Sequence, residues 1–346
     1  MLSLPSEFTS MSLSLRSLRL FNNATEHFKA AAIGILTVTS TLSLSALVAE
    51  PSSARTPSTT YFQGCQLQPE FTQVFARGGI EASSSDYNGF TLAGRGVSFA
   101  NFLIAQPQQR SALPASMRNC PALTVAGPVG LHSGRIEGIM GADSIAASRA
   151  HTGLRSSRDR RSFDALTRFE VWSADTSKKL SEASRSPVRV QQNQLFIDRR
   201  HGYADGGYYT DTTQLAQVRV LKIIGHAGQK TVITVYGNDA VLENMAFELE
   251  GGLRPQDVLL NFPMASSLRM ARAGSGSFGI PASILAPYAA ADLRDLAITG
   301  QVFVGSLCGN GQINEGLFAH WPQAQSPSLP PAPHPCEARP QACAAK

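Results

Sequence analysis

The chain has 346 residues, 43% apolar and only 16% charged, which supplies a real core and excludes a disordered, charge-driven chain. Its formal net charge of +5 is small for this length and does not suggest nucleic-acid binding, which usually shows a clustered basic stripe. Five cysteines with no close CxxC spacing argue against a structural zinc module or a redox dithiol.

The first basic residues, Arg16, Arg19 and Lys29, precede the charge-free run AAAIGILTVTSTLSLSALVA at 30–49. This is the pattern of a signal peptide, with small residues offering cleavage after Ala46, Ala49 or Ala54 and Met11 as an alternative start. Residues 1–54 are therefore expected to be a signal peptide and a short leader remnant. A retained anchor is the competing reading, since a run of this length can span a bilayer. Ser and Thr interrupt its second half, and no stop-transfer flank follows. No later segment is as long and apolar, so no membrane span is expected after leader removal.

The body opens on a layout that recurs at 74–101, 123–148 and 284–313: a short strand-like stretch, a polar corner at Gly89, Gly138 or Gly300, then a second apolar stretch. Repeats of this kind fit either the coils of a solenoid or the hairpins of a β-sandwich. Between the second and third units, residues 162–184 carry Phe163, Leu166, Phe169 and Trp172 at helical spacing, followed by Leu180 and Ala183. That stripe predicts one long amphipathic helix laid against the β body, with Asp175 and Ser177 marking a break. The runs VRVQQNQLFI, QVRVLKII, KTVITVYG, AFELE and DVLLNFP then read as strands, completing one β domain over 66–321. From 322 to 346 proline density predicts a flexible tail. In an exported chain Cys336 with Cys343, and Cys65 with Cys120, are two available pairings.

Three blocks, taken in order, resemble the choice-of-anchor A family of bacterial surface proteins: VFARGGIEASSSDYNGFTLAGRGVSFANFLI, ALTVAGPVGLHSGRIEG, and the stretch from DVLLNFP through ILAP to ITGQVFVGSLCGNGQIN. The resemblance implies an all-β fold: a right-handed, ice-binding-like β-solenoid with discontinuous coils and one long α-helix packed alongside. It also implies an exported protein that acts in adhesion or cell-surface interaction. The family's usual C-terminal anchors are replaced here by the proline-rich tail, so the chain is expected outside the cell or at its surface with no identified anchor.

Candidates for chemistry are sparse. Asp198, His201, Asp205 and Asp211 form the densest polar cluster and could offer donors to calcium. Their spacing matches neither an EF-hand nor HExxH, and a surface loop is the plainer reading. No GxSxG elbow occurs, His132 and His226 stand alone, and Glu81 and Asp86 are carboxylates that could face each other. No catalytic residue, cofactor site or nucleic-acid partner is therefore expected. The arginines at 155, 158, 160 and 161 read as a solvated approach to the helix. Ice binding would need hydroxyl residues repeating in register, and TVIT at 231–234 and TDTT at 210–213 do not recur that way. The partner is expected to be a surface, a polysaccharide or a protein. Self-association into a matrix is an alternative, and so is a carbohydrate module using Tyr203, Tyr208 and Tyr209.

Overall fold

The computed structural model describes residues 65–105, 107, 113–138, 140–145, 156–157, 160–188, 190–200, 206–271 and 279–322. The expected leader at 1–54, the expected proline-rich tail at 323–346, the arginines at 155 and 158, and the side chains of Arg160, Arg161 and Phe163 lie outside the described part. Short strands of two to twelve residues wind into coils, and equivalent strands of successive coils pair in parallel. Three such ladders enclose a common core, so the architecture is a β-solenoid. Between tightly wound coils the step is seventeen or eighteen residues, as where Leu123 pairs with Met140 and Ile284 with Val302.

The corner glycines have two different physical roles. Gly89 sits at φ +141°, where a Cβ would also lie 2.5 Å from that of Gln73. Gly300 is needed for close approach instead, since a Cβ there would lie 2.2 Å from the carbonyl of Ala282.

Neighbouring coils do not follow chain order. On one ladder the strand at 123–125 pairs with Phe90–Ala93, which pairs with Thr72–Ala76. Thr72–Ala76 then pairs with Val302–Gly309, from the end of the domain. The series continues through residues 283–286, Val258–Asn261, Thr231–Tyr236 and Gly207–Asp211. The chain thus winds outward from the middle of the stack to one end, crosses to the other end, and winds back to close on its own first coil.

The crossing is α1, Arg160–Ala183. It touches the 123–132 strand toward one end and Gly207–Asp211 toward the other. Seven strand spacings of about 4.8 Å separate those two, roughly 34 Å, and 24 helical residues span about 36 Å. Length alone therefore suits this helix to bridge the stack, and its side chains cover the ladder beneath. That ladder is buried on both faces: Val232 and Thr234 lie under the helix, while Ile233 and Val235 face the core.

The helix is unbroken at Asp175 and Ser177, contrary to the sequence expectation. Leu166, Phe169 and Leu180 are buried as the stripe predicts, but Ser173, Thr176, Ser177 and Ser184 complete the buried face and Ala183 does not. The three serine hydroxyls are matched, that of Ser173 by the Glu170 carbonyl. Ser177 Oγ donates to Asn261 Oδ1 at 2.6 Å, and Asn261 Nδ2 donates back to the Ser177 carbonyl at 2.9 Å. Ser184 Oγ lies 2.8 Å from Thr234 Oγ1. The run VRVQQNQLFI also differs from expectation. Gln192 and Asn193, at φ +50° and +60°, turn it into a hairpin of Val190–Gln191 against Gln194–Asp198.

The seam between first and last coils is tied by two glutamines. Gln301 is fully buried. Its Nε2 donates to the carbonyls of Pro69 at 2.9 Å and Thr72 at 2.6 Å. Its Oε1 accepts from Phe318 N at 2.8 Å and Trp321 Nε1 at 2.7 Å. Gln73 Nε2 donates to the carbonyls of Gly300 and Asn314.

Ahead of the first strand, Cys65 is disulfide-bonded to Cys120 across 55 residues of chain. Cys336 and Cys343 lie outside the described residues. Replacing Cys65 and Cys120 together by serine is expected to cost about 2–4 kcal/mol by releasing this loop in the unfolded chain. Urea denaturation with and without reductant checks this: reductant should lower the wild-type midpoint and leave the double variant unchanged.

Candidate functional site

The polar cluster from the sequence does not assemble a metal centre. Asp198 ends the second strand of the hairpin, Gln194–Asp198, where its carboxylate accepts from Arg200 N, Nε and Nη2 at 2.9, 3.0 and 2.7 Å. Asp211 ends a strand on the helix-covered ladder and caps the short helix α2, Thr212–Leu215, by accepting from Gln214 N at 2.8 Å. His201 and Asp205 lie outside the described residues. Among the described residues no group of three or more His, Cys, Asp or Glu is placed to hold a metal.

Glu81 and Asp86 do not face each other. Ser84, at φ +52°, turns the chain between them, so Glu81 pairs on one ladder with Ser98 and Cys308, and Asp86 belongs to the next. His132 and His226 are both exposed. One buried carboxylate carries no sequence signal: Asp257 is fully buried, accepts from Gly228 N and Arg254 N, and lies 3.2 Å from His320 Nε2. It ties together the segments at Gly228, Arg254 and His320, which is a structural role.

The exposed ladders can be read column by column, because parallel register stacks equivalent positions. On the ladder carrying Glu81 the outward column runs Val241, Arg269, Asp292, Cys308, Glu81, Ser98, Gly130. On the adjacent ladder Phe196, Lys222 and Glu248 stack, with Lys222 Nζ 2.5 Å from Glu250 and 3.6 Å from Glu248. Neither column repeats a hydroxyl. The threonines of TVIT are buried, Thr231 and Thr234 both at 0% exposure, and Thr210 of TDTT is buried as well. Thermal hysteresis of the purified protein is expected to equal that of buffer, and a reading clearly above buffer would contradict this account of the faces.

A shallow trough of about 590 Å³ crosses four coils on the Glu81 ladder, lined by Gly79, Gly96, Ser98, Gly130, Ser306 and Cys308 among others. Its shape follows from packing: a Cβ at Gly79 would lie 2.8 Å from the carbonyl of Gly96. The thiol of Cys308 is exposed and unpaired. Partial burial, then the carboxylates of Asp292 and Glu81, push it above its ordinary value against the opposing effect of Arg294. Less thiolate is therefore present at neutral pH. Iodoacetamide labelling, followed on the Cys308 peptide by mass spectrometry, is expected to run slower in the folded protein than in urea.

Tyr208 and Tyr209 do not share a face. Tyr208 and Tyr209 alternate across their strand, Tyr208 buried and stacked under Arg199 at 6.0 Å, Tyr209 on the outer side. Tyr203 lies outside the described residues. Among the described residues no helix is long and apolar enough to cross a membrane.

Over residues 72–315 the chain matches the model of a family described as an ice-binding-like adhesive domain. The matched span opens on the first residue of the first strand and closes just past the last, so it covers the coiled body as a whole. The match is to an adhesive domain and not specifically to the choice-of-anchor A family. A search of curated proteins gives no match. With the solenoid, the crossing helix and the family match in agreement, the chain belongs to the ice-binding-like adhesive domain family.

Proposed function

We propose that this protein is an exported, non-catalytic adhesin of the choice-of-anchor A type, held outside or at the surface of the cell, that binds a surface rather than ice. The observation that carries the reading is the family match across the coiled body, taken with outward columns that change chemistry at every coil. Ice recognition needs a repeated hydroxyl lattice. A face that alternates Arg, Asp, Glu, Ser and Gly instead suits contacts with a chemically varied surface. The leader-like run at 30–49 supports export.

The test is direct binding of the purified protein to a panel of host cells, bacterial envelopes, polysaccharides and the protein itself. Saturable binding to one foreign surface supports adhesion. Binding only to itself transfers the assignment to a matrix component, and binding to none of them overturns it.

A further inference from the structure

Where the coil stack ends at Ser186–Pro187, the helix-covered ladder runs out from under α1 and leaves a cleft of about 230 Å³. Strand register builds it. Tyr209 pairs with Pro187 in the last described rung, and Asp211, two residues on and on the same side of its strand, pairs with Tyr236. The Tyr209 and Tyr236 rings meet edge to face, with centroids 6.3 Å apart and planes at 64°. Tyr236 is fixed from behind, because its hydroxyl donates to the Ser181 carbonyl at 3.1 Å.

The rim is polar and only half used. One oxygen of Asp211 accepts from Gln214 N, and Gln214 Oε1 accepts from Thr210 Oγ1 at 3.2 Å. Among the described residues the second Asp211 oxygen, the Gln214 amide NH₂ and the Tyr209 hydroxyl have no hydrogen-bond partner. Two aromatic rings, a proline edge and three unspent polar groups thus converge on one opening.

We infer that this cleft binds a single neutral pyranose ring, the terminal sugar of a surface glycan. A pyranose presents an apolar C–H face that stacks on an aromatic ring, and a rim of hydroxyls that pair with carboxylate and amide groups. Ligand pockets lined by aromatics with a few placed polar groups are the general form of such sites. The volume lies below the roughly 300 Å³ at which drug-sized sites begin, which fits one ring rather than a chain. The Asp211 carboxylate disfavours acidic sugars. The inference rests on the adhesion reading for its biological meaning, and it gives that reading a ligand class.

Saturation-transfer NMR of the full chain with the methyl pyranosides of glucose, galactose and mannose, and with methyl glucuronide, tests it. At least one neutral glycoside should saturate with a dissociation constant of roughly 1 mM, and the glucuronide should not bind. Tyr209→Ala and Gln214→Ala should each weaken binding by about tenfold or more. Tyr209→Phe, which keeps the ring, should retain most of it, and Tyr288→Ala, at an exposed tyrosine elsewhere, all of it. If Tyr209→Ala fails to fold by near-UV circular dichroism, Gln214→Ala carries the test.

No saturation by any neutral glycoside, or saturation indifferent to both cleft variants, overturns the inference. The same variants run in the surface-binding assay separate it from the adhesion reading. Adhesion kept by Tyr209→Ala, with no glycoside bound, removes the cleft and leaves adhesion standing. Glycoside binding lost in Tyr209→Ala, with no adhesion by the wild type, keeps the cleft and removes adhesion.

Discussion

Replacing Gln301 by leucine is expected to destabilise the protein by about 4 kcal/mol or more and to loosen the coupling between its two halves. The side chain is fully buried and serves two donors and two acceptors at once. Leucine is similar in size, so little cavity forms. What remains are the buried N–H groups of Phe318 and Trp321 and the Thr72 carbonyl, each costing about 1–3 kcal/mol when left unpaired, while the Pro69 carbonyl keeps its bond from Thr72 N. Gln301→Glu separates hydrogen bonding from shape. It keeps the acceptor oxygen but turns a carboxylate toward the two carbonyls, which raises its folded pKa above the unfolded value. The protonated form then supplies a donor, so the deficit against wild type should shrink as pH falls below the ordinary carboxylate range and reappear as pH rises. Urea titrations of both variants and the wild type at several pH values check the sign. Because a coil stack is held by neighbour-to-neighbour contacts, a weakened seam should also lower the m-value or split the transition.

That seam is also the part of the fold least visible in the sequence. Glycine corners and short apolar runs announce coils locally, and residues 166–172 announce a helix. Nothing local tells Thr72–Ala76 that its partner lies at Val302–Gly309, because that pairing depends on the helix carrying the chain back past its starting point. Gln301 stands in the ITGQVFVG motif as an unremarked polar residue, and its role appears only when the first and last coils meet around it. The misread break in the helix has a related cause. A hydrophobic stripe counts Ser173, Thr176 and Ser177 as surface, yet small hydroxyl residues are what let the helix lie close to the sheet, where Asn261 pairs with Ser177 and Ser173 bonds back to the Glu170 carbonyl of its own helix.

The site was less legible than the fold for a chemical reason. Asp198, His201, Asp205 and Asp211 look like a cluster because they are near in sequence, but a strand ladder sends successive elements to different faces. Asp198 and Asp211 accordingly end on separate ladders with separate local partners. The reverse holds for Tyr209 and Tyr236, which are far apart in sequence and brought together by the parallel pairing of their strands.

Replacing Phe303 by alanine is expected to cost about 3–5 kcal/mol, the range for deleting a fully buried phenylalanine. Its ring is where three parts of the molecule meet. Phe75 from the first coil lies 6.2 Å away, Phe169 and Trp172 from α1 at 6.4 and 5.4 Å, and Trp321 from the segment after the last coil at 5.5 Å. Removing it takes contacts from the sheet, the helix and the closing segment together, and the four rigid neighbours have little freedom to collapse into the space. Phe303→Leu keeps much of the volume and should cost only about 1–2 kcal/mol. The chain has two tryptophans, and both touch this ring and each other, at 5.1 Å. Intrinsic tryptophan emission therefore reports on this cluster alone, and Phe303→Ala should shift it to longer wavelength in the folded state as water reaches the indoles. A stable variant with unshifted emission would mean that the helix is held by the Ser177–Asn261 and Ser184–Thr234 contacts rather than by its aromatic face. In that case Asn261→Leu, which leaves the Phe303 cluster intact, should become the more damaging of the two substitutions.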